Sequence, residues 1–279
     1  MGLLLGRARR AGPAVVAPAG TVRIRTGRSG HVTEPAPLGR RALAELVGTA
    51  ALVAIVVGSG IQATELTRDV GIQLLANSLA TVFGLGVLIA LLGPVSGAHF
   101  NPVVTLAAWW TGRHTGDRLS LRAVAAYVPA QIAGGIGGAI LANAMFAEPL
   151  IRFSTHERSA GPLWLGEVVA TAGLVLLVLG LARTGRQNIG PVAVASYIGA
   201  AYWFTSSTSF ANPAVTIARA FSDTFAGIAP ASVPPFIAFQ LVGAVVGVAL
   251  VAVLFGRPQA TADDVTASHG EPELTTVNR

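Results

Sequence analysis

Ser96-Gly97-Ala98-His99-Phe100-Asn101-Pro102-Val103-Val104-Thr105 returns later in the chain as Ser207-Thr208-Ser209-Phe210-Ala211-Asn212-Pro213-Ala214-Val215-Thr216. Other segments echo in the same order. Ala44–Thr49, with Glu45, is matched by Leu165–Ala170, with Glu167, and Tyr127–Gln131 by Phe236–Gln240. The chain is therefore an internal repeat whose copies differ mainly in loop length. Asn is a good helix cap and Pro is favoured at the first helical position, so each Asn-Pro step reads as the start of a helix. The apolar segments that follow, 101–110 and 212–221, reach about half the ~20 residues needed to cross a bilayer. Such half-length helices survive at membrane depth only when buried in protein or lining a wet cavity.

Outward from these two segments lie six longer apolar stretches, at 41–62, 71–93, 121–146, 162–183, 190–207 and 233–256. The chain is 52% hydrophobic and 11% charged, against about a quarter charged in soluble domains. The expected fold class is an all-α membrane protein, with six transmembrane helices plus two half-helices. Repeat one spans 41–146 and repeat two 162–256. Each repeat has three spans, an odd number, so the second copy sits inverted relative to the first. Inverted repeats place their functional site near the midplane, where half-helices meet. Each helix N-terminus carries roughly +0.5 charge, so two of them facing one pore form a positive centre that repels cations.

Residues 1–40 read as a disordered basic tail and 257–279 as a second disordered tail, flanking the channel domain at 41–256. All 19 basic residues are Arg. With the N-terminus inside, 15 of them fall in the tails and cytoplasmic connections, Arg113 and Arg118 included, and 4 fall outside. By the positive-inside rule both termini are cytoplasmic, in a multi-pass protein of the inner (plasma) membrane. This distribution accounts for the net charge of +6 without nucleic acid as a partner.

The chemistry of an enzyme is absent from the sequence. There is no Cys, hence no thiolate nucleophile or thiolate metal site. No Gly-x-Ser-x-Gly elbow appears, and His and acidic residues are too scattered for a metal centre, so no metal, cofactor or catalytic group is expected. An ion-coupled transporter would carry ionisable groups at the midplane, where this chain places the uncharged Asn101 and Asn212.

The paired Asn-Pro motifs, each preceded by Ser or Ser-Gly and followed by a Val-Thr step, make the chain resemble the aquaporin, or major intrinsic protein, family over residues 41–256. The resemblance implies a passive channel for small neutral solutes across the lipid bilayer, assembled as a homotetramer with one pore per subunit. It places Asn101, Pro102, Val103, Asn212, Pro213 and Ala214 at the pore centre. It makes Glu45 and Glu167 the buried carboxylates that support the pore loops, and His99 a packing and hydrogen-bonding residue beside the first motif. Gly134, Gly135, Gly137, Gly138, Gly243 and Gly247 are expected to allow close helix approach.

The departures from the family pattern fall in the outer filter. The Arg that most members carry directly after the second motif is Val215 here. The other filter positions fall on Ala200, Ser209 and either Phe83 or Thr81, depending on where two residues are deleted before Ser96. Small side chains there imply a filter wider and less polar than a water-selective one, suited to glycerol, urea or arsenous acid as well as water. Arg219 lies one helical turn beyond Val215. It either supplies a positive charge to a wider outer vestibule or pairs with Asp223 and braces the loop.

Overall fold

The computed structural model describes residues 36–112 and 119–256. The two tails, except for residues 36–40, and Arg113 and Arg118 lie outside the described residues. The elements run α1 Leu38–Leu66, α2 Val70–Ser96, α3 Pro102–Gly112, α4 Leu121–Met145, α5 Gly161–Arg183, α6 Gly190–Phe204, α7 Pro213–Arg219 and α8 Val233–Phe255. All are helical. α1 begins at Leu38, inside the stretch read as tail. Among the described residues, five helices are long and apolar enough to cross a membrane: α1, α2, α4, α5 and α8. α6 has 15 residues, about 22 Å at 1.5 Å per residue, so the span expected over 190–207 completes its length through the turn at 205–208.

Caps fix several of these boundaries. Asp69 accepts the N–H of Ile72 at 3.0 Å to start α2, and Ser120 accepts that of Ala123 at 3.1 Å to start α4. α2 ends where Gly97 takes a left-handed φ of 91°. α2 exposes Ile72, Leu75, Leu79, Val87 and Leu91, an apolar face fit for lipid.

The repeat is visible in the helix packing. α1 lies against α4, and α5 against α8. A Cβ at Gly134 or Gly138 would run into the backbone carbonyls of Leu46 and Ala50. A Cβ at the repeat-equivalent Gly243 or Gly247 would lie only 2.6 or 2.7 Å from the carbonyl oxygens of Val168 and Ala172. Close approach at these four positions requires the missing side chain. Gly135 meets α7 instead, with the Ala218 methyl 3.0 Å from its would-be Cβ. Gly137 has open space around it, so its expected packing role is not met.

Candidate functional site

The two loops that precede the Asn-Pro steps adopt matched, unusual backbones. Gly97, Ala98 and Phe100 have positive φ, and so do their repeat equivalents Thr208, Ser209 and Ala211. Non-glycine residues rarely hold this conformation, which costs on the order of 1–3 kcal/mol each. Two buried carboxylates hold it in place. Glu45 accepts the N–H groups of His99 at 3.0 Å and Phe100 at 2.7 Å. Glu167 accepts those of Phe210 at 2.9 Å and Ala211 at 2.8 Å. Gln131 donates to Glu45 (2.7 Å) and to Thr105 Oγ1 (2.9 Å). Gln240 does the same for Glu167 (2.6 Å) and Thr216 Oγ1 (2.8 Å). Both acids are fully buried, and neither lines the cavity described below.

The asparagines join the halves. Asn101 Nδ2 donates to the Ala211 carbonyl at 2.7 Å, and Asn212 Nδ2 to the Phe100 carbonyl at 2.8 Å. Their Oδ1 atoms cap α3 and α7, through Val103 N at 3.0 Å and Ala214 N at 3.0 Å. Both half-helices thus start at one point in the interior and run apart.

A cavity of about 310 Å³ passes this point. It runs from Gln187 and Gly190, at the end of the bundle that carries the termini, past Asn101 and Asn212, to Thr81, Tyr202 and Arg219 at the far end. Val104 and Val215 are repeat-equivalent and both line it. Paired half-helices, crossed asparagines and a cavity that runs past them are the decisive combination, and the comparisons with known proteins agree. Residues 33–207 match the family Major intrinsic protein. The chain is 50% identical over 213 residues to Aquaglyceroporin AqpS of Rhizobium meliloti (strain 1021), covering 76% of this chain and 89% of that protein. It is 32% identical over 209 residues to a Probable aquaporin TIP-type of Medicago truncatula, covering 71% and 80%. The fold also superposes on the aquaglyceroporin of Plasmodium falciparum with a TM-score of 0.55 at 21% identity, over 78% of this chain and 97% of that one. The chain belongs to the major intrinsic protein family. It is a membrane-spanning passive channel for water and small solutes, not an enzyme.

Within this major intrinsic protein, two filter positions read from the sequence need correction. Phe83 is 69% exposed on the outer face of α2; Thr81, two residues earlier and nearly opposite on the helix, lines the lumen instead. Its Oγ1 lies 3.2 Å from Tyr202 Oη. Ala200 points outward, and Ile198 and Tyr202, two residues to either side, line the lumen from α6. Ser209 and Val215 do line it. Pro102, Val103, Pro213 and Ala214 are buried but stand behind the lining.

His99 lines the lumen. Its Nδ1 is 3.1 Å from Thr105 Oγ1 and its ring meets Tyr127 edge-on at 5.6 Å. Tyr127 Oη in turn donates to the Ser96 carbonyl at 2.8 Å and accepts from Arg41 Nε at 2.8 Å. In the second repeat Phe210 and Phe236 replace this polar pair, edge-on at 5.2 Å.

Arg219 is 4% exposed and lines the far end of the lumen. Its Nε donates to the Ala226 carbonyl, and its guanidinium lies 3.5 Å from the centroid of the Phe210 ring, a cation–π contact. Asp223 is engaged elsewhere. It pairs with Arg152 at 3.3 Å and accepts from Thr155 N at 2.8 Å. The brace through Asp223 is therefore not the arrangement present. A second cation stands beside Arg219, and the sequence reading gave it no role. Arg158 lies 5.1 Å from the same ring and donates from Nε to the Gly227 carbonyl at 3.0 Å. Burial draws Arg158 down to about 10, which leaves it cationic at neutral pH.

Proposed function

We propose that the channel conducts neutral solutes bulkier than water, with glycerol, urea and undissociated arsenous acid as the fitting class, through a wide outer filter. The supporting observation is Val215: at the point where the family resemblance calls for a guanidinium, an aliphatic side chain faces the lumen. Pore radius and the donors that line it set selectivity in such channels. Of the other lining groups at this level, Thr81, Tyr202 and Ser209 add hydroxyls and Ile198 an aliphatic surface, none of them a fixed charge. Arg219 supplies positive charge to the outer vestibule, one turn beyond the filter and against the wall. Asn101 and Asn212 with their helix starts form the central barrier to cations, Glu45 and Glu167 support the loops, and His99 has a packing role.

In this reading the end carrying the termini faces the cytoplasm, the membrane is the inner (plasma) membrane, and the pore works in a homotetramer. The orientation follows the Arg asymmetry; the tetramer follows the family resemblance. Stopped-flow light scattering on proteoliposomes, comparing water, glycerol, urea and arsenite, tests the solute class. Fast water flux with no glycerol, urea or arsenite flux above protein-free vesicles would overturn it.

A further inference from the structure

Two guanidinium groups gather around one aromatic ring of the far mouth: Arg219 and Phe210 line the lumen, and Arg158 reaches the same ring without lining it. Phe210 carries Arg219 at 3.5 Å and Arg158 at 5.1 Å from its centroid. Among the described residues neither forms an ion pair; the single pair present joins Arg152 to Asp223. Each arginine is held to the wall through Nε alone, Arg219 on the Ala226 carbonyl and Arg158 on that of Gly227. Among the described residues their terminal amino groups have no acceptor, and those of Arg219 belong to a side chain that lines the lumen. Ser209, also on the lumen, has a buried Oγ with no hydrogen-bond partner.

Nearby negative charge is already engaged. Both oxygens of Glu167 take loop N–H groups, one also taking Gln240, and Asp223 takes Thr155 and Arg152. His156, in the adjacent loop, is held below its ordinary range, by burial first and then by the charges of Arg158 and Arg219. It therefore stays neutral at pH 7 and adds no third positive charge beside the two arginines.

A guanidinium whose fork is unfilled matches two coplanar oxygens of one anion. We propose that this mouth is a binding site for a small planar monovalent oxyanion, of carboxylate or nitrate geometry, held by Arg219 and Arg158 and completed by the Ser209 hydroxyl. An anion seated there stands over the lumen and slows solute entry from the far side, so small organic-acid anions act as reversible blockers. The proposal rests on the vestibule position of Arg219 and is independent of which neutral solute is carried.

Nitrate is the suitable probe, because it is planar and charged at every working pH and does not cross lipid as an acid. Flux is measured with nitrate replacing gluconate outside proteoliposomes, at constant pH, osmolarity and ionic strength. Tens of millimolar nitrate is expected to at least halve solute flux in the wild type. The nitrate-to-gluconate flux ratio is expected to return to one in Arg219→Gln and Arg158→Gln, and to remain low in Arg152→Gln, whose charge is already paired. Calorimetry of nitrate binding to the purified protein in detergent reads the same site without flux. A channel that conducts no glycerol but binds nitrate through Arg219 overturns the solute assignment and leaves the anion site standing. No nitrate binding by the wild type, or equal sensitivity in all three variants, overturns the site.

Discussion

The carboxylate of Glu45 accepts the backbone N–H of Phe100 at 2.7 Å, and Phe100 is held at a φ of 49°. The acid holds a left-handed residue that supplies the carbonyl to which Asn212 donates. Glu45→Gln turns an acceptor into a group that presents N–H to N–H. The loss of charge-assisted bonds from Ser96, His99, Phe100 and Gln131 is expected to cost about 3 kcal/mol. Thermal unfolding of the detergent-solubilised protein measures it, and Glu167→Gln is expected to match within error.

Asn101→Asp and Asn212→Asp place a carboxylate oxygen where an amide now donates to a carbonyl at 2.7–2.8 Å. Repulsion replaces attraction, and the added charge opposes the positive potential of the half-helix starts. Solute flux is expected to fall about ten-fold, an added barrier of about 1.4 kcal/mol, or proton tightness to be lost. Vesicle flux and a trapped pH dye read the two together; an inserted variant with both properties intact contradicts the central barrier.

Val215→Arg returns a guanidinium to the lumen wall. Glycerol and arsenite conductance should drop about ten-fold while water flux drops far less. Parallel stopped-flow traces on the same vesicles decide it, since a uniform loss would indicate a folding defect.

Gly138→Val drives a branched side chain into the Ala50 backbone at the α1–α4 contact. Backbone cannot step aside as a side-chain tip can, so a loss of about 3 kcal/mol is expected, the upper end for overpacking. Gly137→Ala, with open space around it, is the matched control. Membrane yield and melting temperature should separate them.

The loop pair at 152–155 and 221–223 is pinned by Asp223, whose carboxyl is held below its usual range first by the Thr155 N–H. A lowered carboxyl stabilises the folded loop at any pH above the unfolded value near 3.9. That stability is lost as pH falls through the lower folded value. Hydrogen exchange at Thr155 should therefore be slow and flat from pH 7 to 5 after correction for intrinsic rates, and accelerate only in stronger acid. In Asp223→Asn the acid-dependent step should disappear.

Much of this molecule could be read from its residues. The Asn-Pro steps carry their own caps, and an acid inside an apolar span has few uses besides the one Glu45 and Glu167 serve. The filter was less legible because its positions depend on helical phase. At about 100° per residue, a two-residue gap swings a side chain nearly to the opposite face, which separates Phe83 from Thr81 and Ala200 from Tyr202. Gln131 and Gln240 were visible as repeated residues, but nothing local says that each bridges a carboxylate to a threonine. Arg158 had no signal at all, since it meets Phe210 only after the loop between α4 and α5 packs against residues 227–232. The spacing of Arg219 and Asp223 suggested a helical pair, yet α7 ends at Arg219 and the chain turns Asp223 towards Arg152.

The crossed asparagines also bear on how the chain is made. Ribosomes deliver the first three spans before the second half exists, and during that interval Asn101 has no Ala211 carbonyl and Phe100 no Asn212. The first loop must wait, tethered by Glu45 and capped by its own Asn101 Oδ1, with the Asn101 amide and the Phe100 carbonyl still unpaired. Neither half is then a finished unit that the other merely joins; each is the template on which its counterpart sets. Severing the chain in the connection between α4 and α5 and expressing the pieces together would leave every one of these contacts available, whereas either piece alone would lack its mould.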